Sequence, residues 1–415
     1  MNSNPYGDAF ESSQRKAILS QRHRTGKIWQ VFFLSSTVIG LIALVALLLT
    51  VLDKSFSYVV IEYKVDPATL ANKPLVELSN AELVNLLETN LSKNRFRTLD
   101  RANTLTTRSH EDLLNLVYEN VVEPRALASY SMSQWIFDNP RIRAEVADKY
   151  PQAKLEFRAW ISGSFLIDPL SGNPLQAGVR TALLGSLYLI LITIVVAFPV
   201  GVGSAIYLEE YADKTKWYNR IIQTNIDNLA GVPSIVYGII GLAIFVRTLA
   251  PLTSGAFFGN EDGNGRTILS AGLTMALLIL PVLIINSQEA IRAVPNSLRQ
   301  ASYGLGGTKW QTIWNHVLPY ALPGILTGTI LAISRAIGET APLIIVGAAT
   351  FITSDPTGPF SKFTALPIQI YNWTTRPQEV YRNIAAAAIL ILMITLLSLN
   401  ATAILLRNRF SRRHA

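Results

Sequence analysis

Six stretches of this chain run for about twenty residues or more with few or no charges, and they constrain the fold more than any other feature. They lie at residues 28–52, 181–208, 228–246, 267–288, 321–351 and 383–406. Each is near or above the roughly 20 residues that cross a hydrocarbon core as a helix. The pattern predicts an all-α membrane protein with six transmembrane helices. Pro199, Pro233, Pro281, Pro323 and Pro342 fall within or at the ends of these blocks. Such breaks are tolerated where neighbouring helices satisfy the freed backbone groups. Charged residues make up 15% of the chain, where soluble domains average roughly 25%, and the deficit is concentrated in these blocks.

The distribution of lysine and arginine predicts the orientation. Arg15, Lys16, Arg22, Arg24 and Lys27 precede the first block; Lys214, Lys216 and Arg220 follow the second. Arg292, Arg299 and Lys309 follow the fourth; Arg407, Arg409, Arg412 and Arg413 follow the sixth. The alternate loops hold fewer: Arg247, Arg266, Lys362, Arg376 and Arg382. The bias predicts both termini in the cytoplasm, in keeping with an even number of spans. Residues 1–27 and 407–415 then read as cytoplasmic tails, and residues 28–52 as transmembrane helix 1. That first charge-free run exceeds the roughly 7–15 residues of a signal-peptide core, and no Ala-x-Ala site follows it, so it reads as an uncleaved anchor. The net charge of +8 is accounted for by topology, and no nucleic-acid partner is expected. There is no cysteine, and His23, His110, His316 and His414 are scattered, so no metal site or thiol chemistry is expected.

Residues 53–176 are polar, nearly balanced in charge, and predict a small α/β extracytoplasmic insertion between spans one and two. Residues 58–63 read as a strand. Asn80 reads as the cap of a helix with the apolar stripe Leu83, Leu86, Leu87 and Leu91. Residues 110–121 read as a second helix, and residues 154–167, with Leu155, Phe157, Trp160 and Ile161, as a returning strand. Two roles stay open for it: a spacer or assembly module, or a surface for a partner protein.

Residues 177–406 form the core, with five spans and a cytoplasmic loop at 289–319. Part of that loop is too polar to cross a membrane. Leu298, Ala301, Tyr303 and Leu305 suggest a short helix broken at residues 304–307, and residues 309–317 a second one. Two short helices about a glycine turn suit a knob that enters a groove on a partner, although a plain surface loop has the same composition. In the fifth block, Arg335 and Glu339 are four apart and would share one helix face. Each charge costs about 3 kcal/mol or more at a bilayer centre, so the pair, with Thr340 beside it, is the candidate site.

The loop resembles the signature of permease subunits of binding-protein-dependent ABC importers: Glu-Ala-Ala, three residues, Gly, nine residues, then Ile-x-Leu-Pro. This chain has Gln300, Ala301 and Ser302, then Gly306, then His316, Val317, Leu318 and Pro319. Gln300, Ser302 and His316 depart from the pattern; Ala301, Gly306, Leu318 and Pro319 keep its frame. Residues 230–246, 289–313 and 322–344, above all the string RAIGETAPL, are similar to phosphate-importer permeases of the PstA type, in a long-chain branch with an added extracytoplasmic domain. The resemblance implies a MetI-like fold and a coupling helix at 289–319 that seats in an ATPase subunit. It also implies the partners: a distinct PstC-type permease, a PstB-type ATPase homodimer, a PstS-type phosphate-binding protein, and membrane lipid, in a bacterial inner membrane. ATP and Mg would be used by the ATPase subunits, since this chain has no GxxxxGK[ST] loop and is expected to bind no cofactor.

Three readings of Arg335 and Glu339 remain at this level. They pair with each other and fix helix packing; they line an anion pathway; or they couple protons. For an anion, the arginine fork matches phosphate oxygens. The glutamate accepts a hydrogen bond from the proton that phosphate keeps near neutral pH, and repels sulfate, which has none. The coupling loop argues against proton coupling. Permeation of another oxyanion or a phosphonate, or a membrane-anchored sensor, are the rival functions.

Overall fold

The computed structural model describes residues 5–71, 73–102, 104–259, 264–348, 352 and 354–411. Residues 349–351, at the end of the fifth block, and residues 412 and 413, in the C-terminal tail, lie outside these.

Residues 1–53 form one unit, and residues 54–415 the other. In the first, α1 (Pro5–Ser55) is a single helix of 51 residues that begins well before the apolar block. It is apolar on every side from Ile28 onward, so no one face is marked for a protein core.

The second unit opens with β1 (Phe56–Tyr63) and a small lobe built on α2 (Asn80–Asn90) and α3 (His110–Val117). Leu83 and Leu87, fully buried, pack with Leu113 and Val117. Ser79, rather than Asn80, caps α2: its hydroxyl accepts from the Glu82 N–H while the Glu82 carboxylate accepts from the Ser79 N–H. Both positions carry cap-forming residues, and the glutamate three places after Ser79 decides between them. Ser79→Ala is expected to cost about 1 kcal/mol of local stability, read in the full chain as faster amide exchange across α2 with no change in α3.

Strand β2 (Pro124–Ser131), helix α4 (Met132–Lys149) and strand β3 (Lys154–Ala159) complete the insertion. The sheet is antiparallel in the order β2-β1-β3. Its central strand is buried on both faces: Val59 and Ile61 join the cluster under the sheet, and Val60 packs against Ile142 and Val146 of α4. The strand expected over residues 154–167 stops at Ala159, and Gly163–Ile167 is a short helix capped by Ser162. Serine there accepts from the Phe165 N–H, so a local cap overrides the apolar pattern.

The core contains α5 (Arg180–Ile206), α6 (Trp217–Ala230), α7 (Ser234–Gly241), α8 (Ile268–Arg292), α9 (Asn296–Gly304), α10 (Leu318–Gly338), α11 (Ala341–Val346), α12 (Leu366–Thr374) and α13 (Glu379–Ser411). Among the described residues, five helical runs are long and apolar enough to span a membrane, and the pair Trp217–Ala230 and Ser234–Thr248, bent by 109°, makes a sixth if counted as one span. The block at 228–246 is therefore not a straight helix. It breaks at Gly231, Val232 and Pro233, and the Tyr237 hydroxyl reaches back across the break to the Leu229 carbonyl (2.7 Å). The second helix expected over residues 309–317 runs on through a π turn at Ile313–Val317 into α10, giving one helical run, Lys309–Gly338.

Helix α8 is the central post, in contact with α5, α7 and α10. Small residues bring the backbones together: a Cβ on Gly201 of α5 would lie 2.8 Å from Leu283, and one on Gly324 of α10 2.8 Å from Ala290.

Candidate functional site

The fifth block departs most from its expected form. Helix α10 ends at Gly338, and Glu339 is extended (φ −76°, ψ 123°). The cause is Pro342, which lacks the N–H that would bond the Gly338 carbonyl and whose ring would clash with it. Arg335 and Glu339 are thus not on one helix face. Arg335 sits in the last turn, where its charge complements the partial negative charge of the helix C-terminus, and Glu339 caps the break. Their contact is loose: Nε to Oε1 is 3.4 Å, the long limit of a hydrogen bond. Thr340 lies in the break, as the residue before α11.

The depth of the pair follows from packing. Gly324 approaches Ala290 and Gly328 approaches Asn286, so α10 and α8 run antiparallel in step. Continued along the helix, this register sets Arg335 level with Ile279, near the middle of the charge-free run at 267–288. Ile325, Ala332 and Ala336 are buried. The other face of α10 is an exposed stripe of Tyr320, Gly324, Leu331, Arg335 and Gly338. The Arg335 side chain is 46% exposed and that of Glu339 19%. A second break meets this place. Helix α7 packs on α11 so closely that a Cβ on Gly238 would lie 2.7 Å from the Pro342 Cα, and Tyr237 is within electrostatic reach of Arg335. Helix α7, which follows one break, and α11, which follows the other, therefore pack together near Arg335, at the level of the middle of the charge-free run in α8. Broken helices leave backbone groups free to meet a solute where they line a cavity.

The loop at 289–319 has the expected turn. Gly306 has φ +79°, a left-handed conformation that favours glycine, and the Gly307 N–H bonds the Ser302 carbonyl. Gln300 and Ala301 are exposed. Ser302 is buried, and its hydroxyl meets that of Thr312 at 2.8 Å, which ties the two short helices together. Leu318 and Pro319 are half-buried at the start of α10.

Sequence reasoning missed the residues that anchor this loop and those that give it an apolar tip. Leu305 is 91% exposed, and Trp310 stacks on Trp314 (5.4 Å) with both exposed. Beneath them, Glu209 and Glu210 at the end of span two meet Arg292 of α8 and Arg299 of α9. Arg299 gives Glu210 two hydrogen bonds (2.8 and 3.1 Å) and two more to the carbonyls of Ile291 and Val294 (2.9 and 2.7 Å). The pair is largely shielded from solvent, with side-chain exposures of 15% and 7%. Glu209 takes Arg292 and Lys214, each at 2.9 Å. Farther in, Gln223 of α6 and Gln288 of α8 exchange amide hydrogen bonds (3.3 and 2.8 Å). By composition alone the arginines read as topology markers; the two consecutive glutamates ending an apolar block are the available signal. In the turn before α6, Asp213 is held below the usual carboxylate range by hydrogen bonds from the hydroxyl and N–H of Thr215.

Two boundary charges are also placed. Arg180, at the start of α5, pairs with Asp355 at 2.8 Å, and Thr181 bonds the same carboxylate. Asp227 lies on α6 and accepts from Gln223 (2.9 Å).

Residues 197–414 match the family model described as binding-protein-dependent transport system inner membrane component. The insertion lies outside that match. The chain is similar to the phosphate transport system permease protein PstA 1 of Mycobacterium tuberculosis, at 36% identity over 237 residues, covering 57% of this chain and 71% of that protein. It is also similar to the phosphate transport system permease protein PstC of Xylella fastidiosa, at 31% identity, covering 58% of this chain and 78% of that protein. Among solved structures, it is similar to the inward-facing MetNI methionine ABC transporter (16% identity, TM-score 0.40), covering 56% of this chain and 94% of that one.

Proposed function

Because the chain belongs to the family of binding-protein-dependent transport system inner membrane components, we propose that it is the PstA-type membrane permease subunit of an ATP-driven phosphate importer. It forms half of the translocation pathway; a second, PstC-type permease supplies the other half. The observation that carries this reading is Arg335. A half-exposed guanidinium at mid-membrane depth is costly against lipid, so the stripe that bears it faces the partner permease and the aqueous route between them.

Phosphate meets Arg335 through the guanidinium fork, and the loose contact with Glu339 opens as it passes. Glu339 accepts a hydrogen bond from the protonated phosphate oxygen, and Thr340 adds a hydroxyl. The site is weak, since a conduit must release what it holds. Gln300, Ala301, Leu305, Trp310 and Trp314 present the docking surface to a PstB-type ATPase. Closure of two ATPases moves that loop, and the Glu209–Arg292 and Glu210–Arg299 pairs pass the movement to spans two and four. A PstS-type protein delivers phosphate from outside. This chain holds no cofactor, and ATP and Mg are consumed by the ATPases. Both termini are cytoplasmic and residues 53–176 extracytoplasmic.

The test is phosphate uptake by the complete complex in proteoliposomes, with excess sulfate on both faces. The wild-type complex is expected to ignore sulfate, and Glu339→Gln to become inhibited by it. Unchanged sulfate tolerance in Glu339→Gln would remove the selectivity role, and preferential uptake of a phosphonate would replace the substrate.

A further inference from the structure

We propose that the first turns of α4 are a membrane-surface anchor, with Ile136 and Phe137 seated among the lipid headgroups of the outer leaflet. This rests on the proposed orientation, with the insertion outside, and not on the substrate or the pathway.

The level of these residues is set by hydrogen bonds. Ser57 of β1 and Ser129 of β2 both accept from the Asn383 amide, and Trp160 donates to Ser57 at 2.7 Å. Asn383 is the first residue of the charge-free run in α13. The sheet therefore stands directly on the outer end of a span. Strand β2 runs down to Ser131, which pairs with Ser57, and Ser131 caps α4. Gln134, in the first turn, lines one small cavity with Glu379, Arg382 and Asn383. The next residues along the helix are Trp135, Ile136 and Phe137.

Their exposure has no account within this subunit. Ile136 is 65% exposed and Phe137 83%. The helix is kinked directly after them, at Asp138 (φ −124°, ψ 22°), with Pro140 following. Trp135 is the fixed inner side of the turn, stacked on Tyr58 at 3.9 Å and covered by the Arg143 guanidinium at 5.3 Å. Phe157, half-exposed, packs on the same Tyr58. Aromatic rings at a span's outer end, apolar tips beyond them, and Arg141 and Arg143 one turn on match the chemistry of the interface: ring and methyl groups for the acyl boundary, guanidinium for phosphate headgroups. Asp138 stands among them as the one acid of the turn. Lipid is favoured over a protein partner because the patch lies level with the membrane boundary of α13.

The absence of cysteine makes the test direct. In the full chain reconstituted into vesicles of phosphatidylethanolamine and phosphatidylglycerol, single-cysteine variants Phe137→Cys, Ile136→Cys and, as reference, Val76→Cys carry an environment-sensitive fluorophore. Val76 is exposed on the other lobe. Lipid spin-labelled near the headgroup is expected to quench the labels at 136 and 137 several-fold more than the label at 76, and iodide in the outer buffer to quench them several-fold less. Iodide quenching equal to that at 76, without lipid quenching, overturns the proposal. So does protection from both quenchers, which would mean that protein covers the patch, and so does equal lipid quenching at all three positions.

Discussion

Arg335→Ala is expected to lower ATP-driven phosphate uptake by the assembled transporter about 100-fold. A loss of that size corresponds to about 2.7 kcal/mol, the order expected where a passing anion loses a bidentate, charge-assisted partner, and Arg335 is the one basic residue among the described residues of α10. The subunit itself should fold normally: the side chain is half-exposed, and its ion pair to Glu339 is 3.4 Å long. Complex yield and basal ATP hydrolysis are therefore expected to stay near wild type while uptake is lost. Arg335→Lys keeps the charge but not the planar fork, and an intermediate loss of about tenfold is expected. Full uptake by the lysine variant would show that a point charge suffices, and full uptake by the alanine variant would remove the residue from the pathway.

The second large effect lies at the loop end of the bundle. Arg299→Ala leaves Glu210, whose side chain is 7% exposed, without this partner and frees the carbonyl of Val294, while that of Ile291 keeps its bond from the Val294 N–H. Breaking a buried pair in this way costs about 3–5 kcal/mol, which should appear as a lower melting temperature of the subunit in detergent. Arg292→Ala makes a contrast. Its side chain is 53% exposed and Lys214 still serves Glu209, so about 1 kcal/mol or less is expected. If Arg299 also transmits movement, the double variant Arg299→Ala with Glu210→Gln should regain part of the stability and none of the coupling between ATP hydrolysis and uptake. Recovery of both would make the pair a purely structural clamp.

These two sites were unequally legible. The glutamate and arginine of the fifth block stood out because charge in an apolar run is rare and costly, so their composition alone marked them. Their geometry did not: a spacing of four suggested one helix face, and the proline three residues after Glu339 decided otherwise. The loop's frame was readable from Ala301, Gly306, Leu318 and Pro319, because a turn with positive φ constrains residue type. Its clamp was not, because Glu210 and Arg299 are 89 positions apart and each alone reads as a charge at a membrane boundary.

By itself the sequence determined how many segments are apolar enough to cross a bilayer, where the polar insertion interrupts them, and which side the basic residues favour. Those are properties of length and solvation, fixed residue by residue. Only the tertiary structure decided that block three bends at Pro233, that α10 stops before Pro342, and that the helices following both breaks pack together near Arg335. The reason is physical: a helix breaks where a lost backbone bond can be met by a neighbour, as the Tyr237 hydroxyl meets the Leu229 carbonyl, and neighbours distant in the chain are chosen by packing.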